Sequence, residues 1–259
     1  MIYLNFLRRQ LNLDLTRYIY YKWTKTTLVL FMKFFAYLFI FQLLTPGSAI
    51  SGSIKGSALF SGKNIQLEAH KTGKYKKACG VTIINESMLI NKGKIKNVVI
   101  SLHGKNLKTK TGEHKLDQKK CRYEPHVITM PVDSELKIHT SDPVNHNIHT
   151  YSFENDPMNI MFIPDQEEYI QEMEEAEIIK VECDLHSWMT AWIIVTPNGY
   201  SDVSSSDGTF SISNIPPGKY ELTAWHETLG SQSKSVTIND KETNVNFEFP
   251  EILAEETKK

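Results

Sequence analysis

Cysteine, histidine and methionine recur at intervals of three in Cys183-Asp184-Leu185-His186-Ser187-Trp188-Met189, and the flanking sequence leaves little choice about how that heptapeptide is held. Upstream, Ile179, Val181 and Cys183 alternate with Lys180 and Glu182; downstream, Ala191, Ile193 and Val195 are again apolar. Period-two alternation on both sides reads as two β-strands joined by a tight turn. That turn gathers a thiol, an imidazole and a thioether. Soft sulfur donors with imidazole select copper or zinc over magnesium or calcium. One Cys, two His and a weak axial Met make up the donor set of a mononuclear electron-transfer copper site, so one further His is needed.

The candidates lie in Ser141-Asp142-Pro143-Val144-Asn145-His146-Asn147-Ile148-His149, after an alternating strand from Leu136 to His139. His146 and His149 are three apart, and on an extended strand an odd separation sends side chains to opposite faces, so one of them faces a metal. His146-Asn147-Ile148 followed at a distance by Cys-x-x-His-x-x-Met resembles the cupredoxin family (plastocyanin, amicyanin, pseudoazurin) over roughly residues 116–197, and the short ligand loop looks most like amicyanin. The resemblance implies a Greek-key β-sandwich holding one copper ion on His146, Cys183, His186 and Met189. It also implies that the His186 edge lies near the surface as the electron port, with Leu185 and Trp188 as an apolar rim; Trp188 packed between domains is the other reading.

From Tyr200 to Phe249 the character changes. Asp207-Gly208-Thr209-Phe210 and Ile215-Pro216-Pro217-Gly218-Lys219-Tyr220 are turns opening strands, and Val236–Ile238 and Val245–Phe249 complete a small β set. These turns resemble the carboxypeptidase regulatory-like module, a transthyretin-like β-sandwich of structural or adhesive use. The glycine-spaced strands at 50–62 resemble its first strand, which leaves open whether the copper domain is inserted into it. Cys183 to Met189 together with Trp225-His226-Glu227-Thr228-Leu229-Gly230 resemble exported bacterial plastocyanin-like or methylamine-utilisation-like proteins.

The expected organisation is all-β: 50–115 an N-terminal β segment, 116–197 the cupredoxin-like domain, 198–250 the second sandwich, 251–259 a charged tail. Residues 1–49 admit two readings. From Met32 onward, Lys33, the apolar run Phe34 to Phe41 and Gly47-Ser48-Ala49 read as a signal peptide with its cleavage site, residues 1–31 then being an upstream over-reading of the start. The competing reading is an uncleaved membrane anchor, against which the apolar run is shorter than the about 20 residues a span needs. The expected location is the periplasm or outside the cell, with membrane contact only through that segment.

Charge and cysteines narrow the function. Residues 1–49 carry six Lys/Arg and one acid, so the remainder holds 23 basic and 29 acidic residues, a net of −6. Such a chain is a poor nucleic-acid binder. Seven of the acids fall between Asp165 and Glu177 (Asp165, Glu167, Glu168, Glu172, Glu174, Glu175, Glu177). They read either as a docking patch for a basic-surfaced redox partner or as a solvated edge. With Cys183 assigned to metal, Cys79 and Cys121 remain, to pair as a disulfide or stay as two buried thiols. No residue between 50 and 115 is assigned to the site: Lys71 to Lys77 reads as an exposed basic loop, and His70, His103 and His114, like His139 further on, as surface residues. His126 and Trp225-His226-Glu227 read as structural. The expectation is a one-electron copper carrier, not an enzyme. Copper delivery and a structural module with a non-redox metal site are the alternatives.

Overall fold

The computed structural model describes residues 51–63, 66–105, 107–110 and 112–251. The leader-or-anchor reading of 1–49 and nearly all of the charged tail lie outside the described residues. Among those described, no helix is long and apolar enough to cross a membrane. The chain is all-β, and its strands follow the alternation of the sequence. Ser134–Thr140 buries every second residue, as does Ile178–Glu182.

Two sandwiches result. In the first, a four-stranded sheet runs Tyr169–Met173, Ser134–Thr140, His114–Lys119, Arg122–Glu124. It packs on a five-stranded sheet ordered Asn159–Phe162, His146–Tyr151, Ile178–Glu182, Thr190–Thr196, Val127–Pro131. Leu116, Leu136, Ile138 and Met173 from one sheet meet Ile148, Phe162, Ile179, Val181 and Ile193 from the other in a single apolar core. The sandwich starts at His114, two residues before the alternation at Leu116 suggests, because His114 pairs with Leu136 in the parallel ladder.

The second sandwich is built from both ends of the described chain. Gly52–Phe60 lies antiparallel to Thr209–Ile215, with Ile54 opposite Ile212, and parallel to Phe247–Phe249, with Phe60 opposite Phe249. Val99–His103 pairs with both Ser201–Val203 and Gly218–His226 in the facing sheet. Ile54, Phe210, Phe247, Ile100, Leu222 and Ile238 share its core. The segment 50–115 therefore supplies central strands to a sandwich that the chain leaves at residue 103 and re-enters at 201, and the first sandwich is an insertion between them. Gly56 makes the closure possible: a Cβ there would stand 1.7 Å from the Val245 carbonyl oxygen. The turn at Asp207-Gly208 forms as its sequence suggests, with Gly208 in the left-handed region at φ +74°. Further on, the Tyr220 hydroxyl donates to the Pro216 carbonyl at 2.9 Å and fixes the corner where the chain changes sheets.

The sandwiches meet along Val99, Val127 and Ile194, flanked by Trp192 and Trp225, whose rings cross edge-on at 5.1 Å. Here the residues read as structural find their use. His126 and Glu227 form a buried pair, Trp192 Nε1–H donates to the other Glu227 oxygen at 2.9 Å, and His126 Nδ1 stands 3.0 Å from the Thr190 carbonyl. His226 is buried beside them.

Candidate metal centre

The turn after Ile178–Glu182 closes on itself. His186 N–H donates to the Cys183 carbonyl at 3.3 Å, Met189 N–H to the His186 carbonyl at 2.9 Å and Cys183 N–H to the Met189 carbonyl at 3.1 Å. This folds Cys183, His186 and Met189 into the end of the inserted sandwich, all buried. His146, the first residue of its strand, enters from the neighbouring strand and is 0% exposed. Its Nδ1 stands 3.1 Å from His186 Nδ1, which in turn is 3.7 Å from Cys183 Sγ. His149, on the other face as its odd separation requires, is partly exposed and pairs with Asp184 at 3.1 Å.

Around these groups a second layer fixes orientation. Asp142 accepts from the backbone N–H of Lys120 at 2.6 Å and Cys121 at 2.7 Å, and its Oδ2 lies 2.9 Å from His146 Nε2. Asn147 locks the two ligand-bearing segments together: its Oδ1 accepts from Asp184 N–H at 2.7 Å, and its Nδ2 donates to Asp184 Oδ2 at 2.9 Å. The Tyr123 hydroxyl reaches the carbonyls of Asn147 and Glu182.

The electrostatics agree with a cation site. Burial works against a Cys183 thiolate, yet hydrogen bonds from His146 and His186 bring its pKa down to about 6. Burial likewise opposes protonation of His146, but Asp142 and Cys183 hold its pKa up at about 8. With Nε2 of His146 held by Asp142, its Nδ1 faces Nδ1 of His186 and the sulfur, and a cation bound between them would replace the proton that His146 shares with Cys183. A metal fits: bonds of about 2.0 Å to nitrogen and about 2.3 Å to sulfur span gaps of about 3 and about 3.7 Å. His146, Cys183 and His186 can hold a metal ion; a second grouping, Cys121 with Asp142 and His146, loses its sulfur to a disulfide.

That disulfide joins Cys79 to Cys121, and Cys183 alone is a free, buried thiol. It pins a lysine-rich excursion of the N-terminal segment against the centre. Lys71, Lys74, Lys76 and Lys77 are exposed, as expected of 71–77, but Tyr75 among them crosses His186 edge-on at 4.4 Å between ring centroids, so the segment 50–115 does reach the site. His186 is consequently 1% exposed instead of lying open as a port, and its Nε2 is buried without a hydrogen-bond partner among the described residues. Trp188 stands 5.2 Å from His186 and donates Nε1–H to the Cys121 carbonyl at 3.1 Å, while Leu185 stays exposed. The acidic tract runs along the edge strand Tyr169–Met173, and Glu177 is occupied, accepting from the backbone N–H groups of Phe153, Glu154 and Asn155. Sequence reasoning missed Asp142 and Tyr75. The one signal for Tyr75 was the pairing of Cys79 with Cys121.

Comparison with known proteins adds the following. Residues 200–245 match the family model described as polysaccharide lyase family 4, domain II, a fibronectin-III-like type. No curated protein matches the chain. Similar solved structures include a copper-containing nitrite reductase from Thermus scotoductus, at 14% identity over 33% of this chain and 22% of that one, TM-score 0.30. A purple cupredoxin from Nitrosopumilus maritimus is 18% identical over 32% of this chain and all of its own length, TM-score 0.29. A reduced amicyanin variant is 20% identical over 33% of this chain and 83% of its own, TM-score 0.30. The chain thus spans about a fifth of the nitrite reductase.

Proposed function

We propose that this protein is an exported mononuclear type 1 (blue) copper protein that carries single electrons between redox partners, one copper ion per chain. The observation that supports it most is the convergence of His146 Nδ1, His186 Nδ1 and Cys183 Sγ in a buried cluster, with Met189 on the same closed turn. Bound there, copper would alternate between Cu(I) and Cu(II) and supply the electron. The protein's part is to hold the donors still. Cys183 would give the thiolate, His146 and His186 the imidazoles, and Met189 a weaker thioether donor. Asp142 and Asn147 keep the His146 ring and the Cys183 turn in place, so that both oxidation states meet one geometry.

A donor set drawn wholly from the protein leaves no position for substrate, which favours a carrier over an enzyme. The Cys79–Cys121 disulfide suits an oxidising compartment and so supports export.

The test is a visible absorption and EPR spectrum of the Cu(II)-loaded protein beside Cys183→Ser. An intense thiolate-to-copper band with narrow hyperfine splitting, absent from the variant, is expected. A colourless protein that retains only Cu(I) would move the reading to copper delivery, and no copper uptake would leave a two-part β-sandwich.

A further inference from the structure

We propose that the disulfide-stapled excursion over His186, residues 70–84, is the docking surface for an acidic redox partner, with Tyr75 as the aromatic contact through which the electron passes. This rests on the copper-carrier reading. A carrier must bring a partner close to a ligand, and the ligand that would serve, His186, is covered. Beside the fellow ligand His146 at 4.8 Å, the rings against it are Tyr75 at 4.4 Å and Trp188 at 5.2 Å, themselves 5.9 Å apart. A partner approaching the centre from this side therefore meets the cover before the imidazole.

The cover is fixed. His70–Lys71 pairs with Thr82–Ile83, Thr72 Oγ donates to the Val81 carbonyl at 3.1 Å, and Tyr75 N–H donates to the Thr72 carbonyl at 3.0 Å. The Cys79–Cys121 bond ties it to the inserted sandwich, and just past its end Glu86 adds an ion pair to Arg122 at 3.1 Å.

Its outer face has one sign of charge. Lys71, Lys74, Lys76 and Lys77 are exposed, no acid occurs between His70 and Ile84, and none of the four makes an ion pair among the described residues. Lys74 Nζ stands 5.0 Å from the centre of the Tyr75 ring. Val81 and Ile84, 73% and 54% exposed, add an apolar element to the same excursion. A basic patch with apolar contacts over a buried redox ligand, on a chain whose net charge is −1, complements an acidic protein surface. The transfer moves one electron and no atoms: the copper centre gives it up and the oxidised partner takes it, with no bond made or broken.

The test uses the copper-loaded full chain, reduced, against two one-electron oxidants of opposite charge, ferricyanide and tris(phenanthroline)cobalt(III). Ferricyanide should react at a rate that falls as salt rises. The triple variant Lys74→Glu/Lys76→Glu/Lys77→Glu should slow ferricyanide about tenfold or more and speed the cobalt complex. Tyr75→Leu should slow both oxidants, and Tyr75→Phe should restore the rate. A copper-free readout stands beside these: hexacyanocobaltate(III), a redox-inert trianion, should shift the backbone NMR signals of Lys71–Lys77 in the metal-free, disulfide-intact protein, and not in the triple variant. Unchanged ferricyanide kinetics in the triple variant, or anion shifts that map elsewhere, would overturn the proposal. So would binding of the wild-type chain, but not the variant, to phosphatidylglycerol vesicles with unaltered ferricyanide rates, since the patch would then serve a membrane. If the centre takes up no copper, anion mapping on the metal-free protein still decides the surface, so the two readings fail separately.

Discussion

Asp142 stands behind His146, its Oδ2 2.9 Å from the ring Nε2, and so decides which nitrogen of that ring faces Cys183 and His186. The carboxylate does this while also accepting from Lys120 N–H and Cys121 N–H. Those two residues sit at φ +53° and +54°, in the left-handed region that favours glycine, so the turn between His114–Lys119 and Arg122–Glu124 leans on Asp142 to persist.

Asp142→Asn follows directly. An amide has one acceptor oxygen, so its nitrogen must stand either in place of Oδ1, against Lys120 N–H, or in place of Oδ2, against both Cys121 N–H and His146. Copper affinity is expected to fall about 10- to 100-fold in competition with a chelator, as for other outer hydrogen-bond partners of ligand histidines. Unfolding free energy should drop by about 2 kcal/mol for the buried donor left unpaired. Unchanged copper affinity would mean that the His146 ring is oriented by packing alone.

The disulfide carries a second prediction. Under denaturing, non-reducing conditions the metal-free chain should show one reactive thiol, Cys183, and not three. Cys79→Ala/Cys121→Ala should lose about 4 kcal/mol in the chain-entropy account of a loop of this size. It should also raise the reactivity of His186 towards diethyl pyrocarbonate in the metal-free protein, because Tyr75 is no longer pinned. A double variant as protected at His186 as the parent would show that the excursion holds without its staple.

Much of the site was legible because its donors are local. Cys183, His186 and Met189 lie on one turn, and strand parity separates His146 from His149. The alternation around them specifies strands whatever their partners. What stayed hidden depends on pairings between distant segments. Tyr75 lies among lysines with no periodicity, and only the Cys79–Cys121 bond brings it to His186. Asp142 looks like an ordinary turn acid until the Lys120-Cys121 turn is folded against it. Glu227 and His126 find each other only once the two sandwiches meet. That the inserted sandwich interrupts another was hinted at by glycine spacing in 50–62, but strand partners are not written in one strand's own residues.

The Glu227–His126 pair predicts a separation between stability and site. Glu227 lies at the junction of the sandwiches, where burial works to raise its pKa but hydrogen bonds from His126 and Trp192 hold it low, as a carboxylate. Replacing it by the neutral Glu227→Gln leaves His126 facing an amide in a dry contact. Urea unfolding should show a loss of roughly 3 kcal/mol, typical of a buried pair deprived of one partner. The copper spectrum should be unchanged, since Glu227 hydrogen-bonds to His126 and Trp192 and to none of His146, Cys183, His186 and Met189. A loss under about 0.5 kcal/mol would place the pair in effective contact with water.

His226 gives the fold an acid limit. Its Nδ1 accepts from the backbone N–H groups of Thr228 at 3.2 Å and Leu229 at 3.3 Å, and its Nε2 is buried without a partner among the described residues. Burial pushes its pKa down from 6.5 to about 4, with the charge of His126 acting the same way and that of Glu227 opposing. Between those two values the unfolded chain binds a proton that the folded chain refuses. Stability therefore falls as pH drops from about 6.5 to about 4 and draws nothing further from this group below that. At 1.36 kcal/mol per unit the full effect is about 3 kcal/mol. His226→Gln keeps an acceptor for the two N–H groups and has nothing to protonate. Denaturant midpoints measured across this range should slope less steeply in the variant than in the parent. Parallel pH profiles would show that His226 takes its proton inside the fold, and the acid limit would then have to be sought in another group.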